Sequence, residues 1–154
     1  MTTAAQVQPL TPSERRLAVH VVKGLTARAI ASEVGLRLST VYATLRNVRW
    51  KLGCPERCSL AVVAHHILIT GVISIPTPKR AAPPLGSEQI SLLRALTRHT
   101  LPLYIARAAN IAPGDLRAAL DQLLAGTGAR DITEAVILAH GWCLLTDKQA
   151  RVIA

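Results

Sequence analysis

Apolar residues recur along most of this chain at the three- and four-residue steps of a helix. Short clusters of Gly, Pro, Ser and Thr break the pattern at regular intervals. The first run opens at Thr11-Pro12-Ser13-Glu14, a hydroxyl three residues ahead of a carboxylate with Pro at the first helical position, which predicts a capped helix start. Gly24 closes that helix near residue 23. A second helix is expected after Thr26, ending at Gly35, and a third from about Ser39 to Leu52, closed by Gly53. A fourth runs from about Cys58 to Thr70, ahead of Gly71. The second half predicts the same four elements at about 87–98, 102–109, 113–125 and 132–144, with Asp131 and Glu134 spaced as another capping box.

Between the halves, the segment from Ile75 to Pro84 holds four of the nine prolines. Proline removes backbone donors and disfavours helix in the preceding residue, so an extended linker with solvated Lys79 and Arg80 is expected. Three parts follow: a first domain over 1–74, a linker over 75–84 and a second domain over 85–154. Shifting the chain by 75 residues aligns the halves without a gap: Leu17 falls on Leu92, Ile30 on Ile105, Leu45 on Leu120, Gly53 on Gly128 and His65 on His140. The expected fold class is therefore all-α, two tandem four-helix modules joined by a Pro-rich linker.

Composition narrows the partners. The 154 residues carry 18 Lys and Arg against 9 Asp and Glu, a net charge of +9, and half of them are hydrophobic. That much apolar material gives a real core and excludes disorder over most of the chain, while the positive excess points to nucleic acid. The charge is unevenly divided: residues 1–76 hold nine basic and three acidic groups, residues 85–154 seven and six. No apolar run approaches the roughly 20 residues of a membrane helix. Met1 to Gln8 has neither a basic start nor an apolar stretch, so no secretory leader is expected. Three cysteines without framework spacing suit a reducing cytoplasm, the expected location, close to the nucleoid.

The third helix has the most informative faces. Val41, Leu45, Val48 and Leu52 fall on one narrow arc, the expected buried stripe. Ser39, Ala43, Arg46, Asn47 and Trp50 lie opposite, a face small and polar at its start and basic further on. Such a face suits entry into a major groove, where small side chains permit close approach and Arg or Asn reads a base edge with two hydrogen bonds. A short helix and a three-residue turn, Gly35 to Arg37, precede it, the order of a helix-turn-helix.

Leu10-Thr-Pro-Ser-Glu14, Gly24-Leu-Thr-Ala-Arg-Ala-Ile-Ala31, Val34-Gly-Leu36 and Ser39 to Gly53 together resemble the LuxR/GerE-type helix-turn-helix, ungapped from Leu10 to Ala64. The resemblance implies a four-helix DNA-binding module of a transcriptional regulator, its fourth helix available for dimer contact. It places base reading on Tyr42, Ala43, Arg46 and Asn47, and phosphate contacts on Thr26, Arg28, Ser39, Thr40 and Lys51. Tyr42 departs from the family, which usually has a basic residue there, so the sequence preference is not inherited.

In the second half the counterpart of Arg46 is Asp121 and that of Thr40 is Asp115. Carboxylates there repel phosphate, so this module is expected to assemble or to interact rather than to read. Leu60 to Ile69 is apolar almost all round, as is the segment from Ala135 to Ala139. Leu60, Val63, Ile67, Val136 and Trp142 are therefore expected at an interface, either between the modules or between two chains of a homodimer. The expected partners are double-stranded DNA, a second copy, and RNA polymerase or another regulator.

Enzymatic chemistry is not expected. No phosphate loop, nucleophile elbow or paired carboxylates are visible, and Cys54, Cys58 and His65 are too far apart along the chain for a metal site, so neither cofactor nor metal is anticipated. Two alternatives remain beside the single-reader regulator. Both modules could bind DNA as a single-chain pseudo-dimer, or the protein could be an adaptor that acts on the transcription machinery without touching DNA.

Overall fold

The computed structural model describes residues 9–145; the expected domain ends, 1–8 and 146–154, lie outside them. All regular structure among the described residues is helical, in the order α1 Pro12–Val22, α2 Ala27–Val34, α3 Leu38–Leu52, α4 Leu60–Ile69, α5 Ser87–Arg98, α6 Pro102–Ala108, α7 Leu116–Thr127 and α8 Ile132–Gly141. The first capping box forms in full: Thr11 Oγ1 accepts from the Glu14 amide at 3.2 Å, and Glu14 Oε1 accepts from the Thr11 amide at 2.9 Å. The second forms only by half. Asp131 accepts from the Glu134 amide at 2.9 Å, but the Glu134 carboxylate turns to the Arg130 side chain, 2.8 Å away. An exposed guanidinium one turn back offers a carboxylate more than a single amide does.

Several boundaries move from their expected places. The third helix starts at Leu38, with Arg37 in the cap position and no side-chain cap, so Ser39 lies inside its first turn. The fourth starts at Leu60 because Ser59, rather than Cys58, supplies the capping oxygen. In the second half Pro113–Asp115 forms a tight 3₁₀ turn, and α7 begins only at Leu116. The last helix stops at Gly141, short of residue 144, and Cys143 takes a left-handed conformation with φ 60°.

The linker has no helix, as expected, but it does not hang free. Trp142 Nε1 donates to the Arg80 carbonyl at 2.8 Å. Gly141 lies under the prolines so closely that a Cβ there would come within 2.5 Å of Pro78 Cγ and 2.9 Å of the Pro76 carbonyl oxygen. The Arg80 guanidinium lies beside Gly128, the left-handed residue that ends α7, where a cation faces the negative end of the helix dipole. Arg80 is thus an anchor of the linker, which the expectation of simply solvated charge did not foresee.

Each half has its own aliphatic core. Leu17, Val21, Ile30, Val41, Leu45, Val48, Val63 and Ile67 fill the first, and Leu92, Leu93, Leu96, Ile105, Leu123 and Val136 the second. The two meet along α4 and α8, the most extensive helix pairing in the molecule. Ala61 of α4 belongs to the second core and Ile137 of α8 to the first, so the helices interdigitate.

This pairing decides where the apolar excess goes. Val63, Ile67 and Val136 are 0% exposed within the single chain, Leu60 is half-buried against the first core, and Trp142 lies on the linker. Of the residues expected at an interface, Val63 and Ile67 belong to the first core and Val136 to the second, so each is buried within its own module, and Ala61 and Ile137 are the ones that cross.

The contacts across this seam are reciprocal. His65 Nδ1 and His140 Nε2, on residues 75 apart, face each other at 2.8 Å. The turn after α1 places Gly24 beside Glu134, and the turn after α5 places Thr100 Oγ1 where it accepts from the Ser59 amide at 3.0 Å. Ser59 and Glu134 are themselves 75 apart. In an isologous contact each residue meets the other half's equivalent in this way. Two differences break the pattern: Gly24 and Thr100 are 76 rather than 75 apart, and α8 is capped at Asp131, three residues ahead of the position equivalent to Ser59.

The histidine pair makes the seam sensitive to acid. Burial, then His140, His66 and Arg98, pull the His65 pKa down to about 4, and burial lowers His140 too. A histidine depressed in the folded state binds its proton more readily when unfolded, so stability is full above the ordinary value near 6.5 and declines as pH falls toward 4. Urea unfolding between pH 7 and about 4.5 is expected to show that decline, and His65→Gln is expected to flatten it.

Candidate nucleic-acid interface

The helix-turn-helix is α2, the turn Gly35–Arg37 and α3. Gly35 adopts φ 69° at the end of α2, a left-handed conformation that glycine accepts without strain, and the chain reverses there into α3. The expected stripe is buried: Val41 and Val48 are fully enclosed, with Leu45 and Leu52 nearly so. Anchored on that side, α3 must present the opposite side outward. Tyr42, Ala43, Arg46 and Asn47 are all exposed there. Tyr42 and Trp50 are 55% and 70% exposed, unusual for aromatic residues in a chain with so few. No other part of the described residues covers this face.

The expected phosphate contacts divide into two groups. Thr26, Arg28, Ser39 and Thr40 are exposed at the starts of α2 and α3. Thr26 also caps α2, its Oγ1 accepting from the Ala29 amide at 3.1 Å. Lys51 is in a different position. Its Nζ lies 2.6 Å from Glu14 Oε1 and 3.5 Å from the Pro9 carbonyl oxygen, and both charged side chains are largely buried. It ties the end of α3 to the start of α1, and so fixes α3 against the module. Arg49 is likewise turned inward, its Nη2 donating to the Cys58 carbonyl at 2.8 Å.

The equivalent surface of the second half has different chemistry. Gly114, Ala118, Asp121, Gln122 and Ala125 are exposed as expected, while Leu116 and Leu123 are buried and Leu120 only half so. Asp115 and Asp121 have no ion-pair partner among the described residues. At the positions equivalent to Thr26 and Arg28 stand Leu101 and Leu103, which with the neighbouring Tyr104 are 58%, 52% and 48% exposed. Sequence reasoning weighed the acidic substitutions and passed over this apolar trio, although the same 75-residue shift displays it.

Residues 8–64 match the family model described as bacterial regulatory proteins, luxR family. Over those residues the first module is similar to a LuxR-family helix-turn-helix. The match ends inside α4 and leaves the linker and α5–α8 outside it. The chain has no match among curated proteins or solved structures. No helix among the described residues is long and apolar enough to cross a membrane.

The Glu14–Lys51 pair sets the acid tolerance of the LuxR-type module. Burial raises the Glu14 pKa, but hydrogen bonds from Lys51 and Thr11 and the Lys51 charge outweigh it, and the carboxyl is held below its ordinary 4.5. A depressed carboxyl contributes stability above its unfolded pKa, and that contribution is lost as pH falls through the folded value. Glu14→Gln is expected to cost about 1–3 kcal/mol at neutral pH, because Lys51 loses its anion and the cap loses its strongest acceptor. The loss read by urea unfolding should shrink as pH falls below the ordinary carboxyl value of 4.5 and on through the lower folded one, where Glu14 is itself protonated.

Proposed function

We propose that the protein is a sequence-specific transcriptional regulator that reads the major groove with α3 of its LuxR-type module and uses α5–α8 as a degenerate, non-reading copy. The observation that carries this reading is the free face of α3. Arg46 and Asn47 suit two-bonded recognition of G and A edges, Ala43 allows close approach, and Tyr42 offers a ring to a thymine methyl or a hydroxyl to a phosphate. Thr26, Arg28, Ser39 and Thr40 would hold phosphates on either side. Lys51 contributes through Glu14, by setting the angle of α3.

The second module acts as a built-in partner for the first. The reciprocal contacts across α4 and α8 are those of a twofold pair in which one chain supplies both halves. A chain assembled in this way needs no second copy to bury its fourth helix. Asp115 and Asp121 oppose phosphate binding by α7, and Leu101, Leu103 and Tyr104 suit contact with protein, RNA polymerase or another regulator, rather than DNA.

Fluorescence anisotropy on genomic fragments, from about 50 to 300 mM salt, tests the division of labour. Affinity should fall steeply with salt. Arg46→Ala should cost about 1–3 kcal/mol and erase the preference among fragments. Asp121→Ala should change binding by less than about 0.5 kcal/mol. If Asp121→Ala shifts affinity as strongly as Arg46→Ala, both modules read DNA; if Arg46→Ala changes nothing, the protein works as an adaptor.

A further inference from the structure

We propose that the cleft between the end of α1, the docked linker and α8 binds a medium-chain aliphatic carboxylate, with its chain laid along α8 and its head group held by a lysine at the rim. None of the lining residues belongs to α2 or α3, so the site stands whether or not the polar face of α3 meets DNA.

The docked linker makes this cleft. Pro78 packs onto Gly141, the Arg80 carbonyl accepts from Trp142 Nε1 at 2.8 Å, and the Arg80 guanidinium lies beside Gly128. Between these fixed points and Val22, at the end of α1, a cleft of about 510 Å³ stays open. Packed interiors leave few voids larger than a water molecule, whereas sites that enclose a small organic ligand measure about 300–1,000 Å³.

Its walls are apolar. Val22, Pro76, Pro78, Ile137, Leu138 and Trp142 line it, and the indole hydrogen is already donated to Arg80. Val22 and Ile137 also belong to the first core, so the floor of the cleft is continuous with it. Along α8 the lining runs from Glu134 to Trp142, eight residues on, or about 12 Å at the rise of a helix. An elongated trough of this kind suits an extended chain better than a compact ring system. Water against those six side chains finds few partners, so an aliphatic chain that displaces it gains the ordinary free energy of apolar transfer.

The rim sets the charge. Lys23, Lys79 and Arg80 line the cleft against one carboxylate, Glu134. Glu134 is paired with Arg130 at 2.8 Å, and Arg80 faces the end of α7. Lys23 and Lys79 are exposed and belong to no ion pair among the described residues. Uncompensated ammonium groups beside an apolar trough favour an anion over a cation with the same chain, and a carboxylate has acceptors for either lysine. The ligand class follows: apolar along its length and anionic at one end. Because the walls come from both modules and the linker, a bound chain braces the three together.

The test titrates decanoate into the full isotope-labelled chain and follows the two indole N–H resonances, with decyltrimethylammonium, the same chain on a cation, as the comparison. The expected result is a saturable shift of the Trp142 indole with a Kd at or below about 1 mM, while the indole of Trp50, 70% exposed on α3, stays still. Decyltrimethylammonium should bind roughly tenfold or more weakly, and Lys23→Glu combined with Lys79→Glu should weaken decanoate by a similar factor. Both lysines are exposed, and the comparison of the two probes needs no variant. The proposal is overturned if Trp142 does not shift up to about 5 mM decanoate. It is equally overturned if the shifts centre on Leu101, Leu103 and Tyr104, if anion and cation bind alike, or if the double variant binds decanoate as the unaltered chain does.

Discussion

Everything in this molecule rests on the burial of α4 against α8. Either helix alone is too apolar to face water, and each half without the other would expose a surface that solvent does not tolerate. Packed together they carry Ala61 into the second core and Ile137 into the first, and bring His65 to His140. One seam then orients both halves. It also leaves α3, on the far side of its own core, with none of the described residues over its polar face.

Two further constraints turn that orientation into a reading surface. The Lys51–Glu14 ion pair joins the end of α3 to the start of α1, so the helix that carries Arg46 is fixed by a charged contact as well as by its apolar stripe. The docked linker does similar work for the second half. Trp142, Gly141 and Arg80 hold it across the end of α8, so the modules are connected by a packed segment rather than a tether. Under the proposed function, a helix held so rigidly would lose little conformational entropy on binding, which would favour specificity in the groove over loose electrostatic attachment.

Much of this was legible in the sequence, and the exceptions have physical causes. Local rules located the eight helices, because caps such as Thr11 and Thr26 and stops such as Gly35 and Gly53 act within a few residues. The 3.6-residue period separated the buried Val41, Leu45, Val48 and Leu52 from the exposed face of α3, and a resemblance over 55 residues supplied its family. What stayed hidden was pairing at a distance. Lys51 meets Glu14 across 37 residues, Trp142 meets Arg80 across 62, and His65 meets His140 across 75. The apolar fourth helices announced an interface without naming its partner, and periodicity could not choose between another chain and the other half of this one.

The central claim is that one chain supplies both halves of a twofold pair while only one half reads DNA. Hydroxyl-radical footprinting on the tightest-binding genomic fragment tests it most directly. One chain should protect a single major-groove segment, flanked by phosphate contacts on both sides. Two equally protected segments about one helical turn, roughly 10.5 base pairs, apart would contradict the account, because both α3 and α7 would then be in the groove.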